Sequence, residues 1–319
     1  MDQLSVKVAS KSTEAVDIVS LDLVSLDGGA LPEFSAGAHI DVHVPGGLIR
    51  QYSLSSDCSE SSHYRIGVLR EPNSRGGSVI LHDRVQAGDI LQISAPRNRF
   101  ALVPAQRSIL LAGGIGVTPL MCMARQLQAQ GAQFEFHYCS RSRERMAYLQ
   151  EISDSEFSGQ ACFHFDNDEA SHMDLNAVLS APDRQTHVYI CGPAGFIDYA
   201  IGRAQALGWP ESNIHFERFA ATEHQAPLVG DQTFQVKLAS TGEVFDIPAD
   251  EPITKVLDRQ GVFIPVSCEE GICGTCLTGV VEGVPDHRDS YLTDEEHAAN
   301  DQFTPCCSRS KSPMLVIDA

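Results

Sequence analysis

The stretch Cys268-Glu269-Glu270-Gly271-Ile272-Cys273-Gly274-Thr275-Cys276 sets three cysteines at the spacing C-x4-C-x2-C, and Cys306 follows thirty residues further on. That is the ligand spacing of a plant-type [2Fe-2S] cluster. Each iron needs four sulfur ligands, and two sulfides are shared, so the protein must supply four thiolates. Gly271 and Gly274 let the loop curl and aim amide N–H groups at sulfur. The spacing predicts Cys268, Cys273, Cys276 and Cys306 as the metal ligands, with Cys307 competing for the fourth place. Zinc sites favour two short Cys-x2-Cys or Cys/His pairs, and only one is present here. A cluster of this kind gives and takes single electrons, so electron transfer is the first functional class to consider.

The remaining composition fits that class. The chain has 319 residues, enough for two or three domains, and is 43 % hydrophobic. Its 23 basic and 42 acidic residues give a net charge of −19, a field that repels nucleic-acid phosphates. Residues 232–319 carry 15 acidic and 6 basic side chains, with Asp294, Glu295 and Glu296 grouped. Two accounts of that group stand side by side: a solvated helix start and a docking face for a basic protein partner. The other six cysteines (Cys58, Cys122, Cys139, Cys162, Cys191 and Cys307) show no framework of pairs. No apolar run approaches the ~20 residues of a membrane helix, and the start MDQLSVKVAS has no secretory signature. These features together predict a cytoplasmic protein with free thiols.

The hydrophobic pattern changes twice along the chain. Residues 1–103 hold short alternating stretches (6–8, 18–23, 39–44, 64–69 and 89–93) separated by glycine-containing turns, as in a small antiparallel β-barrel. One short helix is expected from Gly77 to Asp83. From residue 104 the pattern becomes alternating β and α, beginning with the apolar strand 108–112, and predicts a doubly wound domain to residue 222. Helices are expected over 118–130, 144–151, 175–179 and 194–206, and strands over 133–138, 161–165, 187–190 and 214–217. Residues 223–231 read as a linker. A third domain, 232–319, opens with a hairpin (233–239 and 244–247), continues through a helix over 253–259 and the cysteine loop, and ends in strand 314–317.

Two glycine loops join strand to helix in the second domain. Ala112-Gly113-Gly114-Ile115-Gly116-Val117-Thr118-Pro119 allows close approach of a pyrophosphate, which Thr118 or the uncapped amides of the helix can receive. Cys191-Gly192-Pro193 repeats that position two βα units later, and both loops are expected at the carboxyl edge of one sheet. Cys191 reads equally as a small buried residue and as a thiol lying against a nicotinamide ring. In the first domain, Arg50-Gln51-Tyr52-Ser53 offers a cation, a flat ring and a hydroxyl, and Arg75-Gly76-Gly77-Ser78 reads as an anion nest at a helix start.

These motifs in this order resemble the phthalate dioxygenase reductase family, which includes the reductases of vanillate demethylases, over essentially the whole chain. The matching residues are R-x-Y-S at 50–53, R-G-G-S at 75–78, A-G-G-I-G-x-T-P at 112–119, C-G-P at 191–193, E-x-F at 217–219 and the four cysteines. The resemblance implies an antiparallel β-barrel flavin domain, a doubly wound α/β nucleotide domain and a C-terminal β-grasp ferredoxin domain. It implies that Arg50, Tyr52 and Ser53 contact FMN, and that Arg75, Gly76, Gly77 and Ser78 surround its phosphate. Gly113, Gly114, Gly116, Thr118, Pro119, Cys191, Gly192 and Pro193 belong by the same likeness to the NADH site. Glu217 and Phe219 fall near the flavin–nicotinamide junction, and Ser53, Cys191 and Glu217 stand at the reacting centre. Asp166, after the third strand of the nucleotide domain, is placed to bind an adenosine ribose, whereas Arg141 and Arg143 are placed to meet a 2′-phosphate. The implied function is an NADH-dependent reductase that feeds the oxygenase of a Rieske-type system acting on aromatic compounds. Two other readings stay open: the reductase of another hydroxylase class, and a non-catalytic electron carrier or redox sensor.

Overall fold

The computed structural model describes residues 3–71, 76–219 and 231–319. Arg75 and residues 223–230 of the expected linker lie outside them. The chain divides into two compact units, Met1–Arg218 and Phe219–Ala319.

The first unit opens with strands β1 (Gln3–Ala15), β2 (Ile18–Ser25), β3 (Ala38–Val44), β4 (Leu48–Ser53) and β5 (Tyr64–Leu69), helix α1 (Gly77–Asp83), then β6 (Ile90–Ser94) and the short β7 (Arg97–Asn98). The strands pair antiparallel in the order β4-β3-β6-β1-β2-β5. A bridge between Leu54 and Ile66, with the Ser55 amide donating to the Arg65 carbonyl at 2.9 Å, joins the two ends and closes the barrel. Inward positions alternate along the strands, as in Ala38, Ile40, Val42 and Val44 of β3, and fill the barrel with aliphatic side chains.

The α/β layers follow: β8 (Arg107–Gly113), α2 (Val117–Ala129), β9 (Gln133–Ser140), α3 (Leu149–Ser153), β10 (Ala161–Phe165), α4 (Leu175–Val178), β11 (Thr186–Cys191), α5 (Ala194–Ala206) and β12 (Ile214–Glu217). The five strands are all parallel, in the order β10-β9-β8-β11-β12. Strand β8 is buried on both faces. Leu110 and Ala112 pack with α2, while Ile109 and Leu111 pack with α4 and α5, which explains its unbroken apolar run.

The barrel and the parallel sheet pack as one body. Ile18, Ala36 and Phe100 of the barrel share a core with α2 and β9. Glu151 binds Arg65 of β5 and Arg125 of α2, and the Arg125 guanidinium also donates to the Ser55 carbonyl. Gly67 of β5 lies at this seam: a Cβ there would sit 2.7 Å from the Tyr148 hydroxyl and 2.8 Å from the Thr118 methyl.

The expected helix over 144–151 is a correction. Residues Arg143–Arg145 form a 3-10 turn, Met146 is extended and Tyr148 is left-handed at φ 58°, so α3 starts only at Leu149. Met146, Ala147 and Tyr148 are all buried. Three consecutive side chains cannot share one face of a helix, so tertiary burial overrides the local preference.

The second unit comprises β13 (Phe234–Leu238), β14 (Val244–Ile247), α6 (Ile253–Arg259), β15 (Thr278–Glu282), β16 (Pro285–Asp286), α7 (Asp294–Ala299), β17 (Gln302–Phe303), β18 (Arg309–Ser310) and β19 (Met314–Asp318). Its main sheet, in the order β14-β13-β19-β15-β17, buries Ile253, Val256 and Leu257 of α6, a β-grasp arrangement. Asp294, Glu295 and Glu296 form the first turn of α7, where Thr293 and Glu296 close a reciprocal capping box. Helix α7 and the short strands β15 to β18 have no counterpart in the sequence reading beyond that acidic helix start.

Candidate functional site

In a doubly wound sheet, ligands bind beyond the carboxyl ends of the strands, where the strand order reverses. Here the chain runs β8 to β9 to β10 in one direction and then returns to β11 on the other side of β8. The reversal therefore falls between β8 and β11, and the registers set Ala112 beside Cys191 and Cys191 beside Glu217. Both glycine loops emerge at this point. They touch through their backbones: a Cβ on Gly116 would lie 2.3 Å from the Cys191 carbonyl and 2.5 Å from the Gly192 nitrogen, and one on Gly192 would lie 2.9 Å from the Gly113 Cα. Helices α2 and α5 start directly after the loops, and neither Gly116 nor Pro193 caps its helix with a side chain. Two uncapped helix N-termini at one crevice fit a pyrophosphate.

Individual side chains differ in what they offer. The Thr118 hydroxyl donates to the Ile115 carbonyl at 3.0 Å and its methyl faces Gly67. It therefore braces the turn and the seam, and the helix amides are the better phosphate donors. Pro119 is buried in the first turn of α2. The Cys191 side chain has no exposed surface, and burial, with the nearby Glu217, pushes its thiol well above the ordinary value. It stays neutral, and its backbone shapes the crevice. Asp166 is exposed just past β10, and its amide donates to the Ser140 carbonyl at 3.0 Å, so it sits on the same sheet edge two strands from the reversal. Arg141 and Arg143 are also exposed, beyond the end of β9.

Strand β4 of the barrel ends at this crevice. The Ser53 hydroxyl donates to Glu217 Oε2 at 3.1 Å, joining the end of β4 to the end of β12. Residues 164 positions apart thereby form one corner, a juxtaposition that no local sequence signal encodes. Burial raises the Glu217 carboxyl to about 7, against the opposing effect of the Ser53 bond. The native state therefore holds a proton between the ordinary value of 4.5 and about 7 that the unfolded chain has released. The stabilising contribution is complete below 4.5 and is lost as pH rises through 7. Glu217→Gln keeps the acceptor without the charge. Relative to the parent, its melting temperature should be unchanged at pH 4 and higher at pH 8, by about 2–4 °C for each kcal/mol of the contribution lost. A gap of the same size at both pH values would show that Glu217 does not titrate in this window.

Elsewhere on the barrel, Arg50 lies along the start of α1, where a Cβ on Gly77 would sit 2.8 Å from its Cγ. Gly76 takes the left-handed φ of 91° at the N-cap, and the Ser78 hydroxyl accepts from the Glu71 amide at 3.1 Å. A cation beside glycine amides fits a flavin phosphate. Tyr52 is half-buried on the same face of β4 as Arg50, and burial pushes its phenol up, so it presents a neutral ring. Phe219 is exposed at the first residue of the second unit.

In the second unit the loop after α6 gathers the thiols. Cys306 lies within hydrogen-bonding reach of Cys268 and Cys276, and Cys268 within reach of Cys273. Amides of Glu270 and Ile272 point at Cys268 Sγ (3.3 and 3.4 Å), and those of Cys268 and Thr275 at Cys273 Sγ (3.5 and 3.4 Å). Such amides stabilise thiolate charge, as a cluster requires. Gly271 and Gly274 adopt φ of 72° and 66°, and a Cβ on Gly274 would strike the Tyr291 ring at 2.1 Å. Cys307 is within hydrogen-bonding reach of Cys306 as well, and its sulfur also meets the Thr304 hydroxyl at 3.3 Å and the Ser308 hydroxyl at 3.8 Å, beneath Gly271. The four converging thiols and their aimed amides fit a [2Fe-2S] cluster.

Comparisons agree with this geometry. Residues 236–311 match the 2Fe-2S iron-sulfur cluster binding domain family, and residues 110–201 the oxidoreductase NAD-binding domain family. The chain is 50 % identical to the vanillate O-demethylase oxidoreductase of Pseudomonas sp. (strain HR199 / DSM 7063), covering 99 % of each protein. It is 41 % identical to the phthalate dioxygenase reductase of Burkholderia cepacia, over 99 % of this chain and 97 % of that one. A solved phthalate dioxygenase reductase, described as a modular structure for electron transfer from pyridine nucleotides to [2Fe-2S], aligns with TM-score 0.75 and 40 % identity over 99 % of this chain and 98 % of that one. An intact type IV self-sufficient cytochrome P450 monooxygenase aligns with TM-score 0.88 and 34 % identity over 99 % of this chain, which spans only 41 % of that protein. Likeness at this level over the full length of the reductases, with both cofactor loops in place, makes the chain a member of the phthalate dioxygenase reductase family.

Proposed function

We propose that this protein is the NADH-dependent reductase component of a two-component, Rieske-type aromatic dioxygenase or demethylase system. Electrons pass in it from NADH through FMN and the [2Fe-2S] cluster to the oxygenase. The observation that carries the reading is the Ser53–Glu217 contact at 3.1 Å, which sets the end of the flavin-site strand at the nucleotide crevice of one compact unit. The other unit holds four converging thiols.

When bound, the flavin supplies the conversion from two-electron hydride chemistry to the one-electron chemistry of the cluster. The protein's own work is placement. Arg50 and the glycines before α1 hold the flavin phosphate, and Tyr52 lies along the ring. The start of α2 and the Cys191-Gly192-Pro193 turn hold the NADH pyrophosphate, and Asp166 takes the adenosine ribose, which favours NADH over NADPH. Ser53 and Glu217 fix the corner where the two rings meet. Hydride transfer needs no acid or base, which agrees with the neutral Cys191 thiol.

An anaerobic NADH titration of the loaded protein, followed by visible and low-temperature EPR spectra, tests this reading. Bleaching of the flavin together with a rhombic cluster signal is expected at stoichiometric NADH. A flavin that stays oxidised under NADH would favour a carrier or sensor instead.

A further inference from the structure

Next to the cluster loop, three side chains outside the electron path converge. His297 Nε2 lies 3.2 Å from Asp289 Oδ1, and His287 Nδ1 lies 3.8 Å from the same oxygen. The two imidazoles are 4.4 Å apart, centroid to centroid. Ligands of one tetrahedral zinc ion, each at about 2.0 Å, sit about 3.3 Å from one another. All three donor atoms lie within 4.8 Å of one another.

Two details separate this arrangement from an ordinary hydrogen-bonded triad. The His287 side chain is only 9 % exposed, and its Nδ1 is fully buried with no hydrogen-bond partner among the described residues. Asp289 Oδ1 is too far away to fill that role. The neighbouring groups are also set as a metal site needs them. His287 Nε2 faces Asn300 Oδ1 at 3.3 Å, so its N–H points there and the Nδ1 lone pair points inward. Asp289 Oδ2 accepts from the amides of Tyr291 (3.2 Å) and Leu292 (2.8 Å), which leaves Oδ1 for the centre.

We propose that His287 Nδ1, Asp289 Oδ1 and His297 Nε2 bind one zinc ion, with the fourth position open to solvent on the partly exposed His297 side. The site braces the cluster loop from behind: the Ser290 amide donates to the Gly271 carbonyl at 3.0 Å, and a Cβ on Gly271 would touch Asp289 at 2.8 Å. This inference goes beyond the reductase reading and does not depend on it.

The test uses the full-length protein carrying flavin and cluster, stripped of loosely held metal and titrated with zinc chloride by calorimetry. Zinc K-edge absorption then gives the ligand type. One zinc per chain with nitrogen and oxygen neighbours at about 2.0 Å is expected. His297→Ala should weaken binding by about 100-fold or more. Asn300→Gly, which removes only the supporting partner and suits the left-handed φ of 53° there, should cost about 10- to 100-fold. An unchanged cluster EPR spectrum certifies each variant, and Asn300→Gly decides if His297→Ala loses its cluster. Zinc uptake equal in parent and variants, no uptake at all, or sulfur neighbours at about 2.3 Å would overturn the proposal.

Discussion

Cys276→Ser should abolish NADH-driven reduction of cytochrome c and of the partner oxygenase, to below about 1 % of the parent rate, while NADH–ferricyanide turnover stays near normal. Cys276 is only 2 % exposed, and its thiol lies in reach of Cys306 where the four sulfurs meet. A hydroxyl there is a poor replacement for a thiolate, so the cluster is lost or becomes unstable. Except for Phe219, the residues proposed to hold nucleotide and flavin belong to the other compact unit, Met1–Arg218, which ferricyanide can drain directly. Cys307→Ser is the matched control. Its sulfur rests on the Thr304 and Ser308 hydroxyls beside Cys306 and lies outside the expected ligand set, so this variant should keep both activities and the EPR signal. Loss of ferricyanide turnover in Cys276→Ser with FMN still bound would show that the cluster precedes the flavin in the relay.

The two outcomes also locate what the sequence carries by itself. Ligand identity is a matter of spacing, and spacing is local: C-x4-C-x2-C and the two glycine loops are visible without coordinates. The same holds where periodicity and end signals agree. The helices over 253–259 and 194–206 and the strand over 214–217 match their expected bounds. What fails is anything settled by distant packing. Met146, Ala147 and Tyr148 leave the helical pattern because the barrel seam buries all three. Gly67 looks like an ordinary strand residue until Thr118 and Tyr148 press against it. The pairing of Ser53 with Glu217 joins segments whose spacing in the chain says nothing about their spacing in the fold, whereas His287, Asp289 and His297 fall within eleven residues but follow none of the ligand spacings read from the sequence. Asp294, Glu295 and Glu296 fall between these cases. Their grouping is plain in the sequence, and the structure shows a capped helix start.

Gly116→Ala should slow NADH-dependent flavin reduction by about 100-fold, the usual penalty for misplacing reacting groups by about 1 Å. The effect does not come from backbone strain, because Gly116 sits at φ −61°, where alanine is comfortable. It comes from crowding. The added methyl would lie 2.3 Å from the carbonyl carbon and oxygen of Cys191 and 2.5 Å from the Gly192 nitrogen. These are backbone atoms of the opposite loop and cannot swing aside as a side chain would, so the two loops must separate, and the uncapped starts of α2 and α5 separate with them. Gly131→Ala provides the comparison. That glycine follows α2 at φ 63° with nothing near its missing Cβ, so the change should cost about 1 kcal/mol of stability and leave the NADH rate alone. In Gly116→Ala, dithionite should still reduce both flavin and cluster, because the sites that hold them are untouched. An NADH rate within about threefold of the parent, well short of the expected misplacement penalty, would mean that the crevice between β8 and β11 does not hold the nucleotide.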